Sequence, residues 1–154
     1  FMDLRARILA SMKQAMKEKD AERLSTVRLI SAAIKDRDIA ARAEGNDDGV
    51  DETEVMAILG KMTRQRQESA RTYEEAGRLD LAEREMAEIK VIEEFLPKQL
   101  SADEISLAVE TAIAAMNASS IRDMGRVMDV LKSQYIGQMD FGQVGPLVKE
   151  KLTA

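Results

Sequence analysis

Paired carboxylates are the first residues in this 154-residue chain with the types and spacing for chemistry. Asp47/Asp48, Glu74/Glu75 and Glu93/Glu94 each stand side by side. Neighbours on a helix point about 100° apart, so these pairs diverge instead of converging as an acid–base dyad would. They read as solvated helix faces. Asp36/Asp38 and Asp47/Asp48/Asp51 have the charge to attract a divalent cation, but the EF-hand spacing and its closing Glu are missing. No metal site is expected. Cys and His are both absent. That removes thiolate nucleophiles, disulfides, Cys/His zinc sites, a Ser-His-Asp triad and the commonest general base near neutral pH. The stretch GQMDFGQVG (137–145) has three glycines but neither the P-loop nor the dinucleotide spacing. No cofactor is expected, and the reading leans away from an enzyme.

A basic stretch, KMTRQRQESAR, spans 61–71. Lys61, Arg64, Glu68 and Arg71 recur at three or four residues, so three cations share one helix face. Pairing with Glu68 and nearby acids explains this at a few tenths of a kcal/mol per pair. A phosphate-tracking patch is the functional alternative.

These residues need elements to position them. Ala, Leu, Met, Glu, Lys, Arg and Gln dominate, and aromatics make up 3%. Those are helix formers, so the fold class is all-α. Leu4, Ile8, Met12 and Met16 repeat at four residues and predict a helix over about 3–18. Asp20 starts a second, about 20–43, with Leu24, Val27, Ile30, Ile34 and Ile39 inward. EGNDDGV (44–50) is a loop. A third helix runs about 52–76, with Val55, Leu59 and Met62 inward and Gly77 at its C′ position. A fourth runs about 80–95, with Leu81, Met86, Ile89, Ile92 and Leu96. Asp51-x-x-Glu54, Asp80-x-x-Glu83, Ser101-x-x-Glu104 and Asp140-x-x-Gln143 fit the capping-box spacing or its Asp variant. Ser120 with Asp123 is a weaker instance.

Pro97 forces the preceding residue out of the α region, and Ser101 caps a new helix. Two domains are therefore expected: 2–97, an antiparallel assembly of about four helices, and 98–154, a small three-helix unit over about 102–116, 121–135 and 141–152. Met124, Val127, Met128 and Leu131 form the core face of the middle helix. Residues 124–146 hold four glycines and a proline, which cost about 1 and 3 kcal/mol inside a helix. Gly137 reads as a stop, and Gly142 and Gly145 fall in or before a first turn. Gly125 remains interior, with close packing by a neighbouring helix its expected cause. Pro146 suits either the N1 position of a helix starting near Gly145 or an irregular turn.

Net charge is −5, with 17 Lys and Arg against 21 Asp and Glu in 2–97 and 6 against 7 in 98–154. That argues against a strongly basic nucleic-acid binder and leaves room for a local basic surface. No signal peptide or apolar run of about 18 residues occurs, so a soluble, cytoplasmic protein with no membrane contact is expected. Phe1, ahead of Met2, reads as an extraneous residue.

LSTVRLISAAIKD (24–36), GRLDLAEREMAEIKVIEEFLPKQLS (77–101), and MGRVMDVLK with GQMDFGQV (124–144) closely resemble the GatB/YqeY family, specifically its stand-alone YqeY-like members. The resemblance covers essentially the whole chain in order. It implies a two-part all-α fold whose C-terminal part is similar to the tail of the B subunit of glutamine-dependent aspartyl/glutamyl-tRNA amidotransferase. In that enzyme the tail contacts the outer corner of tRNA, while the chemistry sits in other domains. The implied function is an accessory protein that binds tRNA or structured RNA without chemistry of its own. Lys98, Arg122, Arg126, Lys132, Lys149 and Lys151 supply basic groups, Gly125 permits close approach of a backbone, and the helix starts at Ser120 and Asp140 offer N–H groups to phosphate. Lys61, Arg64 and Arg71 form a secondary patch. One alternative is a helical adaptor docking an aminoacyl-tRNA synthetase or amidotransferase subunit. Another is a carbon–nitrogen ligase with glutamine as amido donor, for which the residues show no nucleophile arrangement or ATP loop.

Overall fold

The computed structural model describes residues 3–153. Phe1, with its reading as extraneous, lies outside them. The chain forms two compact units, Phe1–Pro97 and Lys98–Ala154, and every described element is helical.

The first unit holds α1 (Leu4–Glu18), α2 (Ala21–Ala43), α3 (Glu52–Glu75) and α4 (Leu79–Glu93). Three start on an Asp whose carboxylate accepts an otherwise orphaned N–H three residues on: Asp3 from Ala6 at 2.8 Å, Asp20 from Arg23 at 3.1 Å and Asp51 from Glu54 at 2.9 Å. α3 stops on a full Schellman motif. Arg78 N–H donates to Tyr73 at 2.8 Å and Gly77 N–H to Glu74 at 3.0 Å, with Gly77 at φ +75°. The short connections fold α1 back on α2 and α3 back on α4. Leu4, Ile8, Val27, Ile30, Ile34, Val55, Leu59, Met62, Ile92 and Phe95 bury together as one core.

Four expectations for this unit fail. Met16 is 53% exposed, because each four-residue step drifts about 40° and leaves it about 120° from Leu4. Ile39 is 53% exposed, because five residues from Ile34 turn it about 140° off the stripe. Met86 is 47% exposed, since Ala82, Ile89 and Ile92 centre the buried face of α4 about a quarter-turn away. Asp80 does not cap α4. The N-cap is Arg78, two residues earlier, and the Asp80 carboxylate instead meets the Arg78 guanidinium at 3.3 Å.

A clasp joins α1, α2 and the loop before α3. Arg5 donates to both Asp38 oxygens at 3.0 and 2.7 Å and to the Val50 carbonyl at 3.0 Å, while Val50 N–H donates to Asp38 at 2.8 Å. The Arg5 hydrogen bond, then that of Val50, holds the Asp38 carboxyl below its usual range. Asp38 is therefore a structural acceptor, which removes it from any cation site with Asp36. A carboxyl depressed on folding contributes stability above its unfolded pKa and loses it as pH falls through the folded value. Asp38→Asn is thus expected to cost about 1–2 kcal/mol at pH 7. That difference should shrink below about pH 4, as urea unfolding across pH would read. A constant difference down to pH 2 would count against the clasp.

The second unit holds α5 (Ala102–Ala115), a 3₁₀ turn at Ile121–Asp123, α6 (Met124–Gln134) and α7 (Phe141–Thr153). Ser101 and Glu104 form a reciprocal capping box at 3.2 and 3.0 Å. Leu100 N–H donates to the Gln138 carbonyl at 3.0 Å, tying the entry of α5 to the α6–α7 turn. Val109, Val127, Leu131, Val144, Val148 and Leu152 form the core, with Met124 and Met128 packed against it.

Pro146 corrects both readings offered for it. α7 is continuous from Phe141, with Pro146 inside it. The missing N–H leaves one carbonyl, that of Gly142, without its ladder partner. Gly142 and Pro146 are both exposed, so water reaches that carbonyl and the helix persists. Gly142 and Gly145 are helical accordingly. Gly145 is buried, and a Cβ there would lie 3.7 Å from Met124 Cε.

Candidate nucleic-acid interface

The basic candidates of the second unit are spread along it: Lys98 ahead of α5, Arg122 in the 3₁₀ turn, Arg126 and Lys132 on α6, and Lys149 and Lys151 on α7. Arg122 and Arg126 stand before and after Gly125 where the 3₁₀ turn runs into α6, and all three are exposed. Asp123 holds this corner. Its Oδ2 accepts from Ser119 N–H at 3.0 Å and Ser120 N–H at 3.3 Å, and its Oδ1 accepts from Arg126 Nη2 at 2.6 Å. The Ser119 N–H, then Arg126, then Ser120 keep the Asp123 carboxyl below its usual range. α6 itself has no side-chain cap. Met124 N–H donates to the Ile121 carbonyl instead, so the 3₁₀ turn leads directly into the helix.

Gly125 departs from expectation. It is exposed, and a Cβ built on it meets nothing within 4 Å. No other helix among the described residues of its own unit packs on it, so close packing within the unit is not its cause.

Of the other candidates, Lys151 alone is drawn into the fold. Lys151 pairs with Glu110 of α5 at 2.9 Å and is half-buried. Lys149, two residues earlier, stands about 160° around α7 from it and is exposed. Lys132 is exposed about 9 Å farther along α6 than Arg126. Lys98 lies 4.0 Å from Glu104 and is exposed. Arg122, Gly125 and Arg126 are thus exposed neighbours along one short stretch, and Lys98, Lys132 and Lys149 are exposed elsewhere on the unit.

On α3, Lys61, Arg64 and Arg71 are all exposed. Arg66, which falls off their face, ties α3 to α4 by pairing with Glu88 at 2.8 Å and donating to the Met62 carbonyl at 3.2 Å. In the sequence Asp123 reads only as a weak cap. Its spacing to Ser120 is visible there, but its hold on Arg126 shows only in three dimensions.

The profile of the family described as Yqey-like protein matches residues 5–152. The chain belongs to the YqeY-like family. Curated relatives include proteins named altered inheritance of mitochondria protein 41, mitochondrial. That of Lachancea thermotolerans is 33% identical over 96 residues, covering 62% of this chain and 49% of its own. That of Clavispora lusitaniae is 35% identical over 85 residues, 55% and 46%. That of Meyerozyma guilliermondii is 30% identical over 139 residues, 90% and 65%. The chain spans about half the length of the first two relatives and 65% of the third.

The relatives overturn the cytoplasmic expectation, because their names place them in mitochondria. Composition misled here for a physical reason. A helix-rich chain without Cys suits the cytosol and the mitochondrial interior equally, so such a composition does not identify a compartment. Among the described residues no helix is long and apolar enough to cross a membrane. All the basic candidates of this YqeY-like chain fall within the family match.

Proposed function

We propose that this YqeY-like protein binds tRNA or structured RNA through its second unit, at the corner formed by Arg122, Gly125 and Arg126. The observation that carries the reading is Gly125. Gly125 is the second residue of α6, where glycine costs less than the about 0.5–1 kcal/mol of a mid-helix position, and nothing among the described residues of its own unit needs the space it leaves. A backbone approaching from outside would need it. Two exposed arginines flank that gap, Arg122 before it and Arg126 after it. The resemblance of 124–144 to the tail of the tRNA-dependent amidotransferase B subunit names the class of partner. Lys132, Lys149 and Lys98 add weaker, sequence-independent attraction to phosphate.

Gly125→Ala tests this directly, because stability and binding should move in opposite directions. The variant should melt higher, by up to about 1 kcal/mol. Its affinity for bulk tRNA, followed by fluorescence anisotropy at low salt, should fall about tenfold, or about 1.4 kcal/mol. Wild-type affinity should also weaken steeply with added salt. Unchanged tRNA affinity in Gly125→Ala, or no anisotropy change with the wild type at high protein concentration, would sink the proposal.

The adaptor reading draws support from Leu79 and Leu107, which are 62% and 64% exposed. A pull-down that recovers a synthetase or amidotransferase subunit but no RNA would favour it. The ligase reading would require glutamine-dependent ammonia transfer by the purified protein.

A further inference from the structure

Resting on the RNA-binding reading above, we infer that Asp123 is a positioning residue: it fixes Arg126 for contact with an RNA phosphate and does not merely offset its charge. The carboxylate bridges two segments. Oδ2 holds the Ser119 and Ser120 N–H groups of the turn that enters the 3₁₀ helix, and Oδ1 holds Arg126 Nη2 one turn later. Asn117, at the head of that turn, sits at φ +52°, in the left-handed region. The turn is therefore a defined reversal, and Asp123 gives it and Arg126 a common anchor.

The Asp123 carboxylate is only 20% exposed, whereas the Arg126 side chain is 58% exposed. One edge of the guanidinium is thus committed inward and the rest stands in solvent. A guanidinium has five N–H donors in a fixed fork. With Nη2 held at 2.6 Å, the guanidinium is tethered on that side, one residue along the chain from the exposed Gly125. A freely rotating Arg would lose rotamer entropy on meeting phosphate, and a pre-held one loses less. The Asp carries a negative charge next to a site meant for an anion. Its presence there is unfavourable by charge alone, and what it supplies in return is a common anchor for the turn and for Arg126.

That opposition gives a test by sign. Asp123→Asn keeps an oxygen for the Ser119 and Ser120 N–H groups but releases Arg126 and removes one negative charge. If Asp123 positions Arg126, Asp123→Asn should bind bulk tRNA at least about fivefold more weakly. The slope of log affinity against log salt should also fall by about one contact, or about 0.7–0.9. If Asp123 only neutralises charge, the same variant should bind more tightly, and the inference is overturned. Arg126→Lys serves as the second variant, leaving every bond of the turn in place. A lysine keeps the charge but not the fork, so Arg126→Lys should lose affinity nearly as far as Arg126→Ala. Full affinity in Arg126→Lys overturns the inference even where Asp123→Asn fails to fold. Absence of tRNA binding by the wild type is a separate result that strikes the parent reading.

Discussion

Leu131→Ala is expected to unfold the second unit while leaving the first intact. Leu131 is fully buried, among Val109, Val127, Val148 and Leu152. Truncating a buried Leu costs about 2–5 kcal/mol, set by the lost transfer energy and by how little the cavity collapses. A unit of about 55 residues has few ways to collapse around it. Its whole stability is itself only about 3–5 kcal/mol, so the loss and the reserve are of the same size. Methyl NMR should show Val127 and Val148 collapsing towards random-coil shifts. Val55 and Leu59, which belong to the separate core of the first unit, should keep their dispersed shifts. Leu131→Met, which nearly conserves volume, should cost less than about 1.5 kcal/mol and leave both sets folded. Dispersed Val148 methyls in Leu131→Ala would contradict the account, and so would loss of both sets together.

Gly49→Ala is expected to be the most damaging surface change, at about 2–4 kcal/mol. Gly49 sits at φ +85°, where an L side chain is strained. A Cβ there would also lie 2.9 Å from Asp38 Oδ1 and 3.2 Å from Arg5 Nη2. That oxygen has no freedom to retreat, since it already accepts from Arg5 at 2.7 Å and from Val50 N–H at 2.8 Å. The added methyl therefore strains the backbone and pries open the clasp at once. Gly45→Ala is the matched control. Gly45 is at φ +95° with nothing within 4 Å, so it incurs only the backbone strain of about 1–2 kcal/mol. Thermal melting of the two variants separates the terms. Equal losses would mean that contact with Asp38 adds nothing.

The helices were legible in the sequence because their signals are local. Asp51, Ser101 and Gly77 are cap residues whose chemistry completes within a few positions, and the Leu4/Ile8 and Val127/Leu131 spacings mark the buried faces directly. Ile39 and Met86 failed because helical phase sets only an angle, and which angle is covered depends on what neighbouring helices reach. Asp80 failed because two short-range demands compete there: the carboxylate can cap the helix or meet Arg78, and the cap moved two residues earlier, to Arg78. Pro146 failed for a related reason. Its cost is real, but it falls on a carbonyl that water can reach, and solvent exposure is not written in a local pattern.

The candidate interface was legible only as charge. Nothing in the sequence separates Lys151, which meets Glu110 forty-one positions away, from the exposed Lys149 beside it. Arg66 is the same case on α3, since its partner Glu88 lies on the next helix. Gly125 shows the limit most clearly. A helical glycine signals that space is needed, but only the structure shows that no group among the described residues of its own unit uses it.

Pro146 leaves α7 one backbone bond short without loosening it in time. The lead turn, Phe141–Gly145, is linked to the rest of the helix by one backbone bond fewer than usual. Val144 nevertheless buries in the same core as Val148 and Leu152, so opening the lead turn also exposes core surface. Amide hydrogen exchange should therefore show no step across the proline: Val144, Val148 and Leu152 wait together for the whole unit to open. The last helix thus keeps one clock along its length, set by side-chain burial and not by its backbone ladder.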